Sequence, residues 1–168
     1  MKQLLSLLLC LSIIVPSMAK KEQRKQNVFP DGTPISEWFL QTKVVHPDSL
    51  GKKYDLSDYG IESNPHIVQT QKIQKIIDEA AANGGGVIYI PEGIYKSGSL
   101  FFKQGTHLYL SKGATLLGSE NIMDFPLLMT RIEGEYCKYF GALINADGLD
   151  TFTISGKGTI DGNGTPYW

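Results

Sequence analysis

The rhythm of apolar and polar positions changes several times along the chain, and each change marks a different kind of segment. From Leu4 to Val15 the chain is apolar apart from Ser6, Cys10 and Ser12, behind the single charge of Lys2. Ser17-Met18-Ala19 then supplies the small-x-small pattern of a cleavage site, so residues 1–19 read as a secretory signal peptide cut after Ala19. The run is shorter than the ~20 apolar residues that span a bilayer, which argues against an anchor. A lipid-bearing Cys10 is disfavoured because three leucines precede it where a small residue is needed. The expectation is a secreted or periplasmic protein, free of the membrane after cleavage. Lys20 to Asn27 is polar and basic with no interleaved aromatic, the pattern of a solvated tail rather than a nucleic-acid surface. Phe29 to Phe39 mixes turn residues with Phe29, Trp38 and Phe39, predicting a docked arm within residues 20–53.

The first periodic element is helical. Ile73, Ile76, Ile77, Ala80 and Ala81 recur at helical spacing, with Gln74, Lys75, Asp78 and Glu79 on the other face. This predicts a helix over about Thr70–Ala82, with Asn64-Pro65 or Thr70 as candidate start signals. Asn83-Gly84-Gly85-Gly86 ends it. The glycine run follows the helix instead of preceding it, so it is a helix terminus feeding a strand and not a phosphate loop.

From Val87 onward the text turns to short β-rich runs: Val87–Ile90, Ser99–Phe102, His107–Leu110, Thr115–Leu117, Ala142–Ile144 and Thr151–Ile154. Leu108–Gly118 aligns without gaps on Phe152–Gly162, an offset of 44 (108 to 152). Read as two turns of 22, that offset suits a stack of β-coils, with Leu108 and Phe152, and Leu110 and Ile154, in shared interior columns. On this count the residues from Val87 to Trp168 make about 3.7 turns, near the lower limit for an independent stack. An antiparallel sandwich is disfavoured, because no Asp-Gly pair lies midway between two alternating runs.

Composition changes this picture little but bounds it. The 168 residues carry 16 Lys+Arg and 17 Asp+Glu, a formal charge of −1, with 42% hydrophobic residues, which argues against disorder and against strong polyanion binding driven by net charge. None of the 18 Gly lies in residues 1–19, so the rest of the chain is rich in turn formers. With Cys10 in the leader, Cys137 is the only mature thiol, and stability rests on the core or on a ligand, not on a disulfide.

The series Gln74, Ile77-Asp78, Gly84-Gly85-Gly86-Val87-Ile88-Tyr89-Ile90-Pro91-Glu92-Gly93, Leu108-Tyr109-Leu110, Gly113-Ala114-Thr115-Leu116 and Gly156-Lys157-Gly158-Thr159-Ile160-Asp161-Gly162-Asn163-Gly164, closing in Tyr167-Trp168, resembles the N-terminal part of glycoside hydrolase family 28, the polygalacturonase family. The resemblance spans about residues 54–168. It implies an all-β fold, a right-handed parallel β-helix with an N-terminal capping α-helix, truncated at its C-terminal end. It also implies inverting hydrolysis of a pectic, galacturonan-type backbone, in which one carboxylic acid protonates the leaving oxygen and carboxylates activate a water. No cofactor is called for.

The family carries those groups in Asn-Thr-Asp, Asp-Asp, Gly-His-Gly and Arg-Ile-Lys motifs, and none of the four occurs here; Arg131-Ile132 is followed by Glu133. No residue of this chain is therefore assigned a catalytic role. Asp161 sits in a turn-forming sequence, and Asp55 and Asp58 read as turn or cap residues. His46, His66, His107 and Cys137 lack zinc-type spacing, and Asp161-Gly162-Asn163-Gly164 lacks the later ligands of a calcium loop. Tyr136, Tyr139, Phe140, Tyr167 and Trp168 are candidates for sugar stacking, with core packing as the commoner use of such residues. Two functions stand: the N-terminal portion of a secreted pectin hydrolase, inactive by itself, and a non-catalytic carbohydrate-binding or adhesin-type β-helix module. An open stack end further predicts self-association.

Overall fold

A computed structural model describes residues 27–40 and 43–167. The expected signal peptide, the basic segment to Gln26 and Trp168 lie outside the described residues. The described residues fall into two units, one holding residues 27–40 and the other residues 43–167. In the first unit a tight turn at Asp31-Gly32, held by Thr33 N–H on Asp31 Oδ1 (2.9 Å), brings Val28 opposite Pro34. A 3-10 turn over Glu37–Leu40 follows, with Trp38 and Phe39 meeting edge to face.

The second unit contains, in chain order, β1 (Lys53–Asp55), β2 (Asn64–Val68), α1 (Thr70–Ala82), β3 (Gly86–Ile90), β4 (Gly93–Ser97), β5 (Leu100–Phe101), β6 (Thr106–Leu110), β7 (Ala114–Gly118), β8 (Leu127–Ile132), β9 (Glu135–Phe140), β10 (Ile144–Asn145), β11 (Ile154–Gly156) and β12 (Thr159–Asp161). Three parallel ladders run through it, in the orders β1-β3-β6-β11, β2-β4-β7-β12 and β5-β10. Each of four passes of the chain lays one strand on each of the two long ladders, and the two middle passes add β5 and β10 to the third, so the sheets are stacked in register as a β-helix requires. Among the described residues, no helix is long and apolar enough to cross a membrane.

The period differs from the sequence reading. Gly86 pairs with Thr106 and Gly93 with Ala114, offsets of 20 and 21, whereas Leu108 pairs with Ile154 and Leu116 with Ile160, offsets of 46 and 44. The 44-residue offset is therefore one pass and not two of 22, and three rows follow Gly86 in place of 3.7 turns. The extra length is the hairpin β8–β9, which leaves the stack between β7 and β10 and returns to it. Leu108 and Leu110 stack on Ile154 and Gly156, not on Phe152 and Ile154, because the corner after β11 is two residues shorter than the corner after β6. Phe152 instead packs on Phe102, with ring centroids 4.9 Å apart.

Alternation places Leu108, Leu110, Ala114 and Leu116 inward, and with Tyr54, Ile88, Ile90 and Tyr95 they form apolar columns. Each such aliphatic side chain contributes roughly 1.5–3 kcal/mol by burial. The columns run out at Ile154 and Ile160, which are 48% and 43% exposed. Helix α1 adds Ile73, Ile76, Ile77 and Ala80 to the same core. Neither candidate start signal caps it: Asn64 Oδ1 accepts from His66 N–H within β2, and Thr70 Oγ1 accepts from Gly98 N–H (2.7 Å), tying the first turn to the β4–β5 corner. Gln74, expected on the polar face, lies against β5. Its Oε1 accepts from Phe101 N–H (2.8 Å) and its Nε2 donates to Phe101 C=O (2.9 Å), as a neighbouring strand would.

Candidate functional site

Two assemblies of polar and aromatic groups stand outside the core. The first is built by the hairpin. Two six-residue β-rich runs flank Glu133-Gly134, whose φ values of 51° and 95° are both positive, as a two-residue turn matching strand twist demands. The register pairs Leu127 with Phe140, Met129 with Lys138 and Arg131 with Tyr136 on one face, and Leu128 with Tyr139, Thr130 with Cys137 and Ile132 with Glu135 on the other. A groove of about 900 Å³ lies between the hairpin and the β5–β10 ladder, lined by Phe101, Phe102, Tyr139 and Asn145 and bordered by Met129 and Phe140, whose Cβ atoms belong to the hairpin's other face. Its polar floor is fixed, since Asn145 Nδ2 donates to the carbonyls of Leu100 (3.1 Å) and Ala142 (2.7 Å).

The second assembly lies at the edge of the β2-β4-β7-β12 sheet. Lys96 is nearly buried, and its Nζ donates to both oxygens of Glu120 at 3.0 and 2.8 Å. The Lys96 hydrogen bond holds the Glu120 carboxyl below the usual carboxylate range. Tyr167 Oη donates to Ser119 C=O (2.7 Å) and Asn163 Nδ2 to Gly118 C=O (3.1 Å), so this cluster fastens the last corner to β7. An ammonium neutralised by a carboxylate offers no free acid or base, and its chemistry is that of a structural lock.

The structure brings Tyr136, Tyr139 and Phe140 together on β9, whereas Tyr167 is occupied in that lock and Trp168 lies outside the described residues. Asp161 Oδ1 accepts from Asn163 N–H (2.8 Å), closing a turn. Asp55 caps a 3-10 turn by accepting from Ser57 N–H (3.1 Å) and Oγ (2.7 Å). Burial alone would raise the Asp55 carboxyl, but the hydrogen bonds from Ser57 and Lys53 outweigh it and hold it low. His46 caps another 3-10 turn, His66 lies on β2, His107 on β6 and Cys137 on β9. Among the described residues no three His, Cys, Asp or Glu side chains converge. The hairpin is what the sequence reading missed: β-rich runs of equal length around a Gly were its signal, but Glu is not a usual partner of Gly in such turns.

No family model matches the chain. It is 33% identical over 147 residues to an exo-poly-alpha-D-galacturonosidase of Dickeya chrysanthemi, covering 83% of this chain and 24% of that protein. It is 37% identical over 129 residues to a plasmin and fibronectin-binding protein A of Streptococcus pneumoniae, covering 74% of this chain and 17% of that protein. Among solved structures, the family 28 exopolygalacturonase of Yersinia enterocolitica superposes with a TM-score of 0.60 at 33% identity, over 67% of this chain and 21% of that one. The chain thus spans about a quarter or less of the length of each. Parallel ladders in register and these likenesses make the chain homologous to one portion of the polygalacturonases of glycoside hydrolase family 28.

Proposed function

We propose that this chain is the N-terminal portion of a secreted pectin-backbone hydrolase of polygalacturonase type, acting with inversion, and that its ladders are the first rows of a right-handed parallel β-helix. The observation that carries the reading is the 33% identity to the Dickeya galacturonosidase over most of this chain. Right-handed coiling follows the general hand of parallel crossovers. The acid and base of the inverting mechanism belong to motifs that this sequence does not contain, so in this reading the chain builds and caps the scaffold on which later rows hold them. Export follows from the leader, and intact-mass analysis of the secreted protein is expected to find Lys20 as the first residue.

The test is the coding sequence beyond Trp168 together with the secreted whole protein. Asn-Thr-Asp, Asp-Asp and Gly-His-Gly motifs downstream and release of reducing ends from polygalacturonate are the expected results. Their absence through a full-length β-helix would favour the second reading, a non-catalytic adhesin-type module, for which the 37% identity to the pneumococcal plasmin and fibronectin-binding protein speaks. The 168-residue chain alone is expected to show no turnover. Turnover abolished by Asp161→Asn would overturn both that expectation and the turn role of Asp161.

A further inference from the structure

The outward face of the β8–β9 hairpin has a composition that packing does not explain. From root to tip it presents Leu127 and Phe140, then Met129 and Lys138, then Arg131 and Tyr136. Met129 is 64% and Tyr136 78% exposed, in a segment that contributes nothing to the apolar core. Contiguous apolar surface of this kind marks a binding face. The charges are sorted as well. Both cations of the two strands lie on this face, and Glu135, their one carboxylate, lies on the other. Among the described residues neither Arg131 nor Lys138 is in an ion pair.

Arg131 is already positioned. Its Nε donates to Gly134 C=O (3.0 Å), and its guanidinium stands 5.9 Å from the Tyr136 ring centroid. The diagonal neighbours Arg131 and Lys138 are set about 7–8 Å apart at their bases by strand pairing. Two unneutralised cations interleaved with Tyr136, Met129 and Phe140 complement a chain that alternates apolar ring faces with carboxylates. We infer that this face is an auxiliary binding platform for an acidic polysaccharide, with sugar rings lying on Tyr136 and Phe140 and uronate carboxylates meeting Arg131 and Lys138. The inference rests on the galacturonan reading above and adds to it a binding surface that is separate from the chemistry.

The test is binding of the full chain to de-esterified polygalacturonate, to highly methyl-esterified pectin and to dextran sulfate, by titration calorimetry with far-UV dichroism as a check on folding. Binding is expected to be tightest for the de-esterified polymer and to weaken ~10-fold or more, about 1.4 kcal/mol per tenfold, in Arg131→Gln/Lys138→Gln. Tyr136→Ala is expected to weaken it as well, while Thr130→Ala and Glu135→Gln, on the opposite face, leave it unchanged. Folded outward-face variants that bind like the wild type would overturn the platform, as would loss confined to Tyr139→Ala, dextran sulfate binding equal to that of polygalacturonate, or self-association through this face. No binding by the folded wild type overturns it too. None of these results touches the hydrolysis assay on the whole secreted protein, which decides the parent reading separately.

Discussion

Gly85 and Gly148 separate two reasons for a glycine. Both have positive φ, 103° and 62°, but a Cβ on Gly148 would meet open space, whereas one on Gly85 would strike the carbonyl of Gly105 in the row above. Gly148→Ala is expected to cost ~1 kcal/mol from the backbone alone, and Gly85→Ala at least twice that, because the rows must part to admit the methyl. Urea midpoints of the two variants check the ranking, and equal costs would show that the rows slide apart freely. His107 supplies a test by pH. Burial holds its imidazole below the ordinary value of 6.5, and its Nδ1 is buried without a partner. The unfolded chain therefore binds the proton more readily than the folded one, so stability is full above about pH 6.5 and falls as the pH drops below it. His107→Gln is expected to flatten that step. Asp55 acts lower on the scale: its carboxyl is held below 3.8, so its contribution is present above that pH and is lost below it.

At the scale of elements, α1 and the hairpin play opposite parts. Gln74→Ala would leave both Phe101 backbone groups unpaired, an expected loss of ~1–3 kcal/mol. Gln74→Glu, which offers an acceptor but no donor, should not restore it. Replacing residues 127–140 by a short Gly-Ser turn should, by contrast, leave the thermal midpoint within a few degrees, because no hairpin side chain belongs to the core. A collapse of the dichroism spectrum in that deletion would make the hairpin part of the stack. Periodicity and the glycine stop predict α1 and its end at Ala82, while its start stays open between Asn64-Pro65 and Thr70 and falls at Thr70. Periodicity assigns Gln74 to the polar face, since it sorts residues by polarity and not by what a neighbouring strand edge requires. Strands β2 and β4 escape because Asn64-Pro65 and Lys96 break the usual apolar alternation, and β1 because its three residues, Lys53-Tyr54-Asp55, show a single apolar side chain. The candidate stacking aromatics of β9 are legible as a group in the sequence, but the faces on which they stand are visible only through the hairpin register.

For the whole molecule, β11 and β12 are the outer members of their ladders, and Ile154 and Ile160 within them are half exposed. A preparation of residues 20–168 is expected to associate as its concentration rises, and Ile154→Lys with Ile160→Lys is expected to shift it toward monomer. Sedimentation velocity decides this, and a concentration-independent monomer would show those edges to be innocuous. The Gln74 amide has a further consequence. It closes one side of β5, whose other side accepts β10. Growth of that ladder is thereby polarised: the row made first on the ribosome is complete on one flank before the next emerges, and only the later-synthesised flank can recruit a strand. Assembly is then vectorial and runs with translation. A stalled nascent chain long enough for Phe101 to have cleared the exit tunnel should already protect α1 from protease, before a single residue of β10 has emerged.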